Sequence, residues 1–364
     1  MKYYIIAGEA SGDLHASNLM KEISILDPNA QFRCWGGDKM EGQGAKLVRH
    51  YRDLAFMGFW EVLFNLPTIL KNIRFCKKDI REYQPDVLIL IDYPGFNLRI
   101  AQFAHQIGLK VFYYISPQLW AWKESRVHQI KKVVDKMFVI LPFEKEFYDR
   151  YQFKVDFVGH PLLDEVGDEL EEKTSENGQR VIALLPGSRD QEIKHILPVM
   201  VATAKSLPEY RFVVAGVSSV NAEAYACCGP VDNVSILFDQ SYSILRSADA
   251  ALVASGTATL ETALFGVPEV VCYRSSYLSY LIAKQLIKTR YISLVNLVMD
   301  RLVVKELIQS ACNQTNMKTE LVSLLNDQEA RTRLKQDYME LRAKLGGKGA
   351  SQKTAGLILK YLEE

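Results

Sequence analysis

An apolar run, Ala250–Ala254, breaks at Ser255-Gly256-Thr257-Ala258-Thr259, and a helical stretch containing Glu261 follows, closed by Gly266 and Pro268. Small residues let backbone approach a phosphate, and the unpaired N–H groups of a helix start attract anions. Ser255, Thr257 and Thr259 add hydroxyl donors. Glu261, about one turn into the helix, is placed to accept hydrogen bonds from a ribose diol. The same residues also read as simple capping, with Glu261 a favourable first-turn acid. A second turn, Leu185-Pro186-Gly187-Ser188-Arg189-Asp190-Gln191-Glu192, follows another apolar run. Arg189 there could hold a diphosphate by charge-assisted hydrogen bonds. Ser188 with Gln191 also fits a capping box.

Asp92, in Ile91-Asp92-Tyr93-Pro94-Gly95-Phe96-Asn97, ends a strongly apolar run. A carboxylate there could take a proton from an attacking hydroxyl, or could close an Asx turn before Pro94. The segment Gly8-Glu9-Ala10-Ser11-Gly12-Asp13 is glycine-rich but is not GxGxxG. No convincing strand-end acid follows roughly 20 residues on, which argues against a dinucleotide fingerprint. It is placed to bring backbone and Glu9 close to an acceptor. No Asp-x-Asp occurs in the chain. Divalent ions on diphosphates are held by such carboxylates, so a metal-free mechanism without cofactor is expected, with Arg189 and a helix N-terminus neutralising charge.

The elements that must position these residues alternate short apolar runs with longer helical stretches. The first half carries runs at Tyr3–Ala7, Val87–Ile91, Val111–Ile115 and Met137–Leu141. The second carries Val181–Leu185, Arg211–Ala215, Val234–Phe238, Ala250–Ala254 and Glu269–Tyr273. Runs apolar on both faces suit buried parallel strands, and the spacing leaves room for crossover helices. Both halves open with a strand ending in a glycine loop. The expectation is an α/β protein of two doubly wound Rossmann-like domains facing across a cleft, with ligands beyond the strands' carboxyl ends. The polar, acidic stretch 165–178 reads as a linker. It divides residues 1–166 from residues 178–338, with 339–364 a helical tail packing back on the first domain. Asn326 with Glu329 is expected to cap a tail helix that Gly346-Gly347 ends, and Ser351 to Leu362 looks amphipathic.

A chain of 364 residues is too long for one ordinary core. Its formal net charge of +1 excludes a global field for nucleic acid. The cysteines (Cys34, Cys76, Cys227, Cys228, Cys272 and Cys312) form no CxxC pair, so neither a zinc site nor a secreted disulfide framework is expected. The apolar start stops at Gly8-Glu9, too short for a signal core. No uncharged run reaches the roughly 20 residues that span a bilayer. A cytoplasmic protein is expected, and the sequence carries no signal for oligomeric state.

Leu54 to Leu70 is unusually apolar, with Met57, Phe59, Trp60, Leu63 and Phe64, and Lys71, Arg74, Lys77, Lys78 and Arg81 follow closely. An apolar patch beside a basic one fits an anionic membrane surface or acyl chains. It also fits a core helix with a solvated basic end.

Together the motifs resemble one family. GEASGD (8–13), MGFWEVL (57–63), IDYPGFN (91–97), YYISPQLWAW (113–122), LPFEKEFYD (141–149), VGHP (158–161), LPGSR (185–189), ASGTATLE (254–261) and VKELIQ (304–309) occur in the order found in lipid-A-disaccharide synthases. The resemblance implies a glycosyltransferase-B fold. It implies inverting transfer from UDP-2,3-diacylglucosamine to the 6-hydroxyl of 2,3-diacylglucosamine 1-phosphate, peripherally at the inner face of the inner membrane. It implies Asp92 as base and Arg189 stabilising the leaving UDP. Ser188, Ser255, Gly256, Thr257, Ala258, Thr259, Glu261 and Asn296 would lie at the nucleotide sugar. Gly8, Glu9, Ser11, Gly12 and Asp13 would lie on the acceptor side, with the 54–70 patch at the membrane. Val295 replaces the family's usual Pro, and Gly95 stands where many members have a second acid, which leaves Asp92 as the main carboxylate. Lys123 and Arg126 are candidates for the acceptor phosphate. Rival expectations are another UDP-N-acetylglucosamine enzyme of the same architecture, a 2-epimerase or lipid II-type transferase, and a non-catalytic lipid or nucleotide-sugar binder.

Overall fold

The computed structural model describes residues 1–53, 66–166, 179–276, 280, 285 and 289–364. The chain divides into two compact units, Met1–Asp164 with Leu345–Glu364, and Glu165–Lys344.

The first unit is built on β1 (Lys2–Ala7), β2 (Gln31–Gly36), β3 (Lys46–His50), β4 (Val87–Ile91), β5 (Lys110–Tyr114), β6 (Lys136–Val139) and β7 (Asp156–Phe157). They form one sheet in the order β3-β2-β1-β4-β5-β6-β7, every pairing parallel. The helices are α1 (Ala10–Leu26), α2 (Asp38–Gly42), α3 (Leu66–Tyr83), α4 (Pro94–Gln106), α5 (Leu119–Trp122), α6 (Val127–Val133), α7 (Pro142–Asp149) and α8 (Leu162–Glu165). β4 is buried along its whole length, as a central strand of an α/β sheet must be. Each of its Leu and Ile side chains contributes about 1.5–3 kcal/mol by leaving water.

The second unit repeats the plan with β8 (Val181–Leu185), β9 (Arg211–Gly216), β10 (Val234–Phe238), β11 (Ala250–Ala254), β12 (Glu269–Tyr273) and β13 (Lys305–Ile308). Their order is β10-β9-β8-β11-β12-β13, again all parallel. Its helices include α9 (Asp190–Lys205), α10 (Ser241–Ser247), α11 (Thr257–Leu264), α12 (Leu294–Met299), α13 (Gln314–Asn326) and α14 (Gln328–Lys344). Counted from its own first strand, each sheet runs 3-2-1-4-5-6, the doubly wound order. The α/β expectation therefore holds in both units.

The final helix, α15 (Ala350–Glu363), belongs to the first unit. Gly346 (φ +95°) and Gly347 (φ +74°) turn the chain out of α14. Asp164 then accepts from the backbone N–H groups of Gly349 (2.6 Å) and Ser351 (3.2 Å). Lys353 donates to the Phe157 carbonyl at 2.7 Å, Lys110 to that of Tyr361 at 2.9 Å, and the Tyr361 hydroxyl to Asp156 at 3.0 Å.

The nine strands expected from apolar runs are present to within two residues. β2, β3, β7 and β13 were not expected, because charged residues interrupt their apolar pattern. Arg33 in β2 is tolerated because Asp79 on α3 pairs with it (Nε to Oδ2 2.8 Å). The same carboxylate accepts the Tyr4 hydroxyl at 2.7 Å. The expected cap at Asn326 is corrected. Asn326 is the last residue of α13, and Asp327 caps α14, its carboxylate accepting from the Ala330 N–H at 2.8 Å. Asp327, and not Asn326, stands at the break between the two helices, where such a cap is favoured.

Candidate functional site

In an open parallel sheet the crevice lies where strand order reverses. In the first unit that point is between β1 and β4. The loops leaving those two strands are 8–13 and 92–97, two of the segments singled out by residue type. In the second unit it is between β8 and β11, and the loops leaving them are 186–192 and 255–261. All four chemically suggestive segments therefore lie at switch points.

Asp92 follows β4 in a left-handed conformation (φ 40°), as does Tyr93 (φ 47°). Neighbouring Ile115, at the end of β5, has φ 65°, costly for a β-branched residue. The turn is held by its surroundings. The Asp92 N–H points to the carbonyls of Ile115 (3.3 Å) and Tyr114 (3.4 Å). Its carbonyl accepts from the Asn97 amide at 2.8 Å and from the Tyr113 hydroxyl. Asn97 is fully buried, and its type and spacing had assigned it no role. It fixes the turn that presents Asp92. The Asp92 residue itself is partly exposed.

Gly8 meets the same turn from the other side. A Cβ at Gly8 would lie 2.3 Å from the Tyr93 ring, so only glycine lets the two loops touch. Glu9 is near enough to join burial in raising the Tyr93 hydroxyl's pKa. Gly12 lets α1 approach β1, since its Cβ would meet that of Ala7 at 3.2 Å. Ser11 is exposed at the start of α1. Asp13 departs from the acceptor-side expectation. Its side chain is buried and accepts from the backbone N–H groups of Gly37 (2.7 Å), Lys39 (3.1 Å) and Met40 (3.1 Å). It holds the start of α2, and a carboxylate engaged by three donors is committed to that task.

In the second unit Arg189 is the N-cap residue of α9, with extended backbone. The expected Ser188–Gln191 capping box is corrected. Glu192 folds back over the turn, its Oε2 accepting from the Ser188 N–H at 3.3 Å and its Oε1 lying 3.1 Å from the Arg189 guanidinium. Gly187 (φ +112°) makes room, because a Cβ there would sit 2.5 Å from that carboxylate. Ser188 and Arg189 are both exposed. An internal anion thus rests on donors that a diphosphate could use.

The 255–259 turn divides its hydroxyls. Ser255 donates to the Ile292 carbonyl (2.8 Å), and buried Thr259 to the Gly256 carbonyl (2.8 Å). The Thr259 hydroxyl is thereby engaged in supporting the start of α11. Gly256 and Thr257 are exposed at a helix start without a side-chain cap, and Ala258 is partly exposed. Glu261 lies in the second turn of α11, past the first-turn position that capping would use. Burial pushes its carboxyl up to about 7.

Asn296, also expected at the nucleotide sugar, makes its hydrogen bonds within the unit. It is fully buried, and both ends of its amide are engaged. Nδ2 donates to the Val304 carbonyl and Glu306 (2.9 Å each), and Oδ1 accepts from the N–H groups of Val303 (2.7 Å) and Val304 (2.9 Å). Its capacity is used within the unit, so it positions the loop instead of contacting a ligand. Glu306, unassigned from sequence, is the hub. It also accepts from Ile292 (3.1 Å) and Ser293 (2.9 Å), the loop that Ser255 grips. An acid in the middle of a short strand, Lys305-Glu306-Leu307-Ile308, was the available signal. The expected membrane residues Met57, Phe59, Trp60, Leu63 and Phe64 lie outside the described residues.

Solved structures of the same fold exist at low identity. The UDP-GlcNAc 2-epimerase of Neisseria meningitidis bound to UDP-GlcNAc superposes with a TM-score of 0.69 at 14% identity, covering 99% of this chain and 100% of that one. The kitacinnamycin glycotransferase gives 0.67 at 16% identity, covering 99% of each. These show the fold. Among curated relatives, the lipid-A-disaccharide synthase of Trichlorobacter lovleyi is 38% identical over 375 residues, spanning 99% of this chain and 97% of the relative. That of Nitrosococcus oceani is 40% identical over 372 residues, spanning 99% and 96%. The family model described as lipid-A-disaccharide synthetase matches residues 3–360. Sequence likeness over almost the whole length, on a fold whose switch points carry the family's motifs, means that this chain belongs to the lipid-A-disaccharide synthetase family of glycosyltransferases.

Proposed function

We propose that this chain transfers 2,3-diacylglucosamine from its UDP derivative to the 6-hydroxyl of 2,3-diacylglucosamine 1-phosphate, with inversion, giving the β-1,6-linked disaccharide 1-phosphate and UDP. The observation that carries the reading is that the four motif loops all sit at switch points. Asp92 accepts the acceptor's proton as its O6 attacks the anomeric carbon. The bond from that carbon to the diphosphate breaks, and its electron pair leaves on UDP. Arg189, Ser188 and the start of α11 neutralise that charge. Glu261 accepts from the ribose diol. Residues 1–166 serve the acceptor and the membrane, and residues 178–338 the UDP-sugar, with the tail from 339 returning to the first domain.

The test is UDP release from UDP-2,3-diacylglucosamine with chelator present, with and without the phosphorylated acceptor. Acceptor-dependent release that survives chelation is expected. UDP-N-acetylglucosamine turned over by epimerisation, with no transfer, would sink the reading in favour of the 2-epimerase. In the same preparation UDP should bind more tightly as pH rises through 7, since the diol prefers an ionised Glu261, and Glu261→Gln should flatten that profile.

The enzyme is further read as cytoplasmic and peripheral to an anionic inner-membrane face. No helix among the described residues is long and apolar enough to cross a membrane. α3 exposes Leu70 and Phe75 beside Lys71, Arg74 and Lys78. A cation near an anionic surface contributes about 1 kcal/mol, so Lys71→Ser and Arg74→Ser should each weaken flotation on phosphatidylglycerol vesicles about fivefold. Undiminished flotation of both variants would remove α3 from the contact.

A further inference from the structure

Trp122 ends α5 and is 48% exposed, an unusual setting for the largest apolar side chain. Two cations lie at its ring. Lys123 Nζ is 5.3 Å and Arg126 Cζ 5.9 Å from the centroid. Among the described residues, no carboxylate lies within ion-pair distance of either cation. The nearby Glu124 accepts the Tyr151 hydroxyl at 3.0 Å. The segment is anchored from below. Leu119 is buried, and Trp120 packs edge-on against Phe143 at 4.9 Å between centroids.

The position is as informative as the composition. The segment leaves the carboxyl end of β5, the strand beside β4, whose end carries Asp92. The Asp92 N–H bonds across to the end of β5, and the Tyr113 hydroxyl bonds back to Asp92. Arg126 is close enough to act electrostatically on that hydroxyl. An aromatic face and two unmatched cations therefore lie in the segment that follows β5, the strand next to the one that ends at Asp92.

We propose that residues 122–126 form the subsite for the phosphomonoester of the acceptor, with Trp122 against the sugar and Lys123 and Arg126 on the phosphate. This rests on the function proposed above. The carbons that carry the acceptor's reacting hydroxymethyl group and its phosphate both flank the ring oxygen of one pyranose, so the phosphate site must lie within one sugar ring of the base. Arg supplies a planar fork matched to phosphate and Lys a mobile point charge. The aromatic ring beside them attracts both cations through its face and holds them near one another.

The experiment is kinetic, in nonionic mixed micelles without anionic lipid, using the acceptor with and without its 1-phosphate. Arg126→Met and Lys123→Met should each lower kcat/KM for the phosphorylated acceptor roughly 10- to 100-fold, mainly through KM. Turnover of the unphosphorylated acceptor and UDP affinity should not change. Equal losses with both acceptors would overturn the subsite in favour of a structural role. Unchanged kinetics with weakened vesicle flotation would overturn it in favour of membrane contact. If the unmodified enzyme transferred nothing, the reaction proposed above would fall, and binding would decide the subsite by itself. Tryptophan fluorescence should then respond to the phosphorylated monosaccharide in the unmodified protein, and not in Trp122→Phe or Arg126→Met. A response that survives both substitutions would overturn the subsite.

Discussion

Asp92→Asn is expected to lower kcat by about 10²- to 10⁴-fold, the range for removing a general base, while the Kd for UDP and the Tm stay as they were. The substitution isolates the chemistry. Asp92 sits at φ 40°, a region that Asn tolerates as well as Asp, whereas Ala would add backbone strain. The bonds that hold the turn go to the Asp92 backbone, from Asn97 and Tyr113, and they survive the change. UDP contacts are assigned to the second unit, so affinity measured by calorimetry should be blind to it. Turnover within a few-fold of the unmodified enzyme would show that Asp92 is not the base and would revive the non-catalytic binder.

Asp13→Ala should act on the other axis. Its carboxylate is 3% exposed and takes three backbone N–H donors in the 37–40 turn. Hydrogen bonds to charged groups contribute about 1.5–3 kcal/mol each, and two of the donors left behind, at Gly37 and Met40, are buried. A loss of about 3–5 kcal/mol follows, with a drop in Tm on the order of 10 °C. Asp13→Asn, which keeps one acceptor oxygen, should fall between. Gly37 belongs to the same device, since a Cβ there would lie 2.7 Å from the carboxylate. A variant with unaltered Tm that had lost acceptor binding would return Asp13 to the acceptor side.

These two aspartates show what the sequence made legible. Asp92 and Asp13 each lie in a motif that follows a first-unit strand, and residue type offered the first, the family resemblance the second, as site groups. Separating them needed the distant partner, because the donors to Asp13 come from 37–40, a turn that nothing in GEASGD announces. Asn296 and Glu306 hid for the same reason. Their hydrogen bonds join residues 292–293 to 303–306, and composition does not report a closed network. The buried parallel strands, by contrast, were legible because both faces are apolar over an unbroken run. β2 and β13 were not, since Arg33 and Glu306 look like solvated charges until Asp79 and the 292–293 backbone are seen to engage them.

Asp164, His160 and Phe157 bond to residues that the chain delivers only at its far end. The second unit is one uninterrupted stretch, Glu165–Lys344, so it can close as it leaves the ribosome. The first unit cannot, although its first 164 residues are made earlier. α1 packs on α15, so that face stays open until residues 345–364 are made. Synthesis from amino to carboxyl end therefore delivers the whole of the second unit before the segment that completes the first.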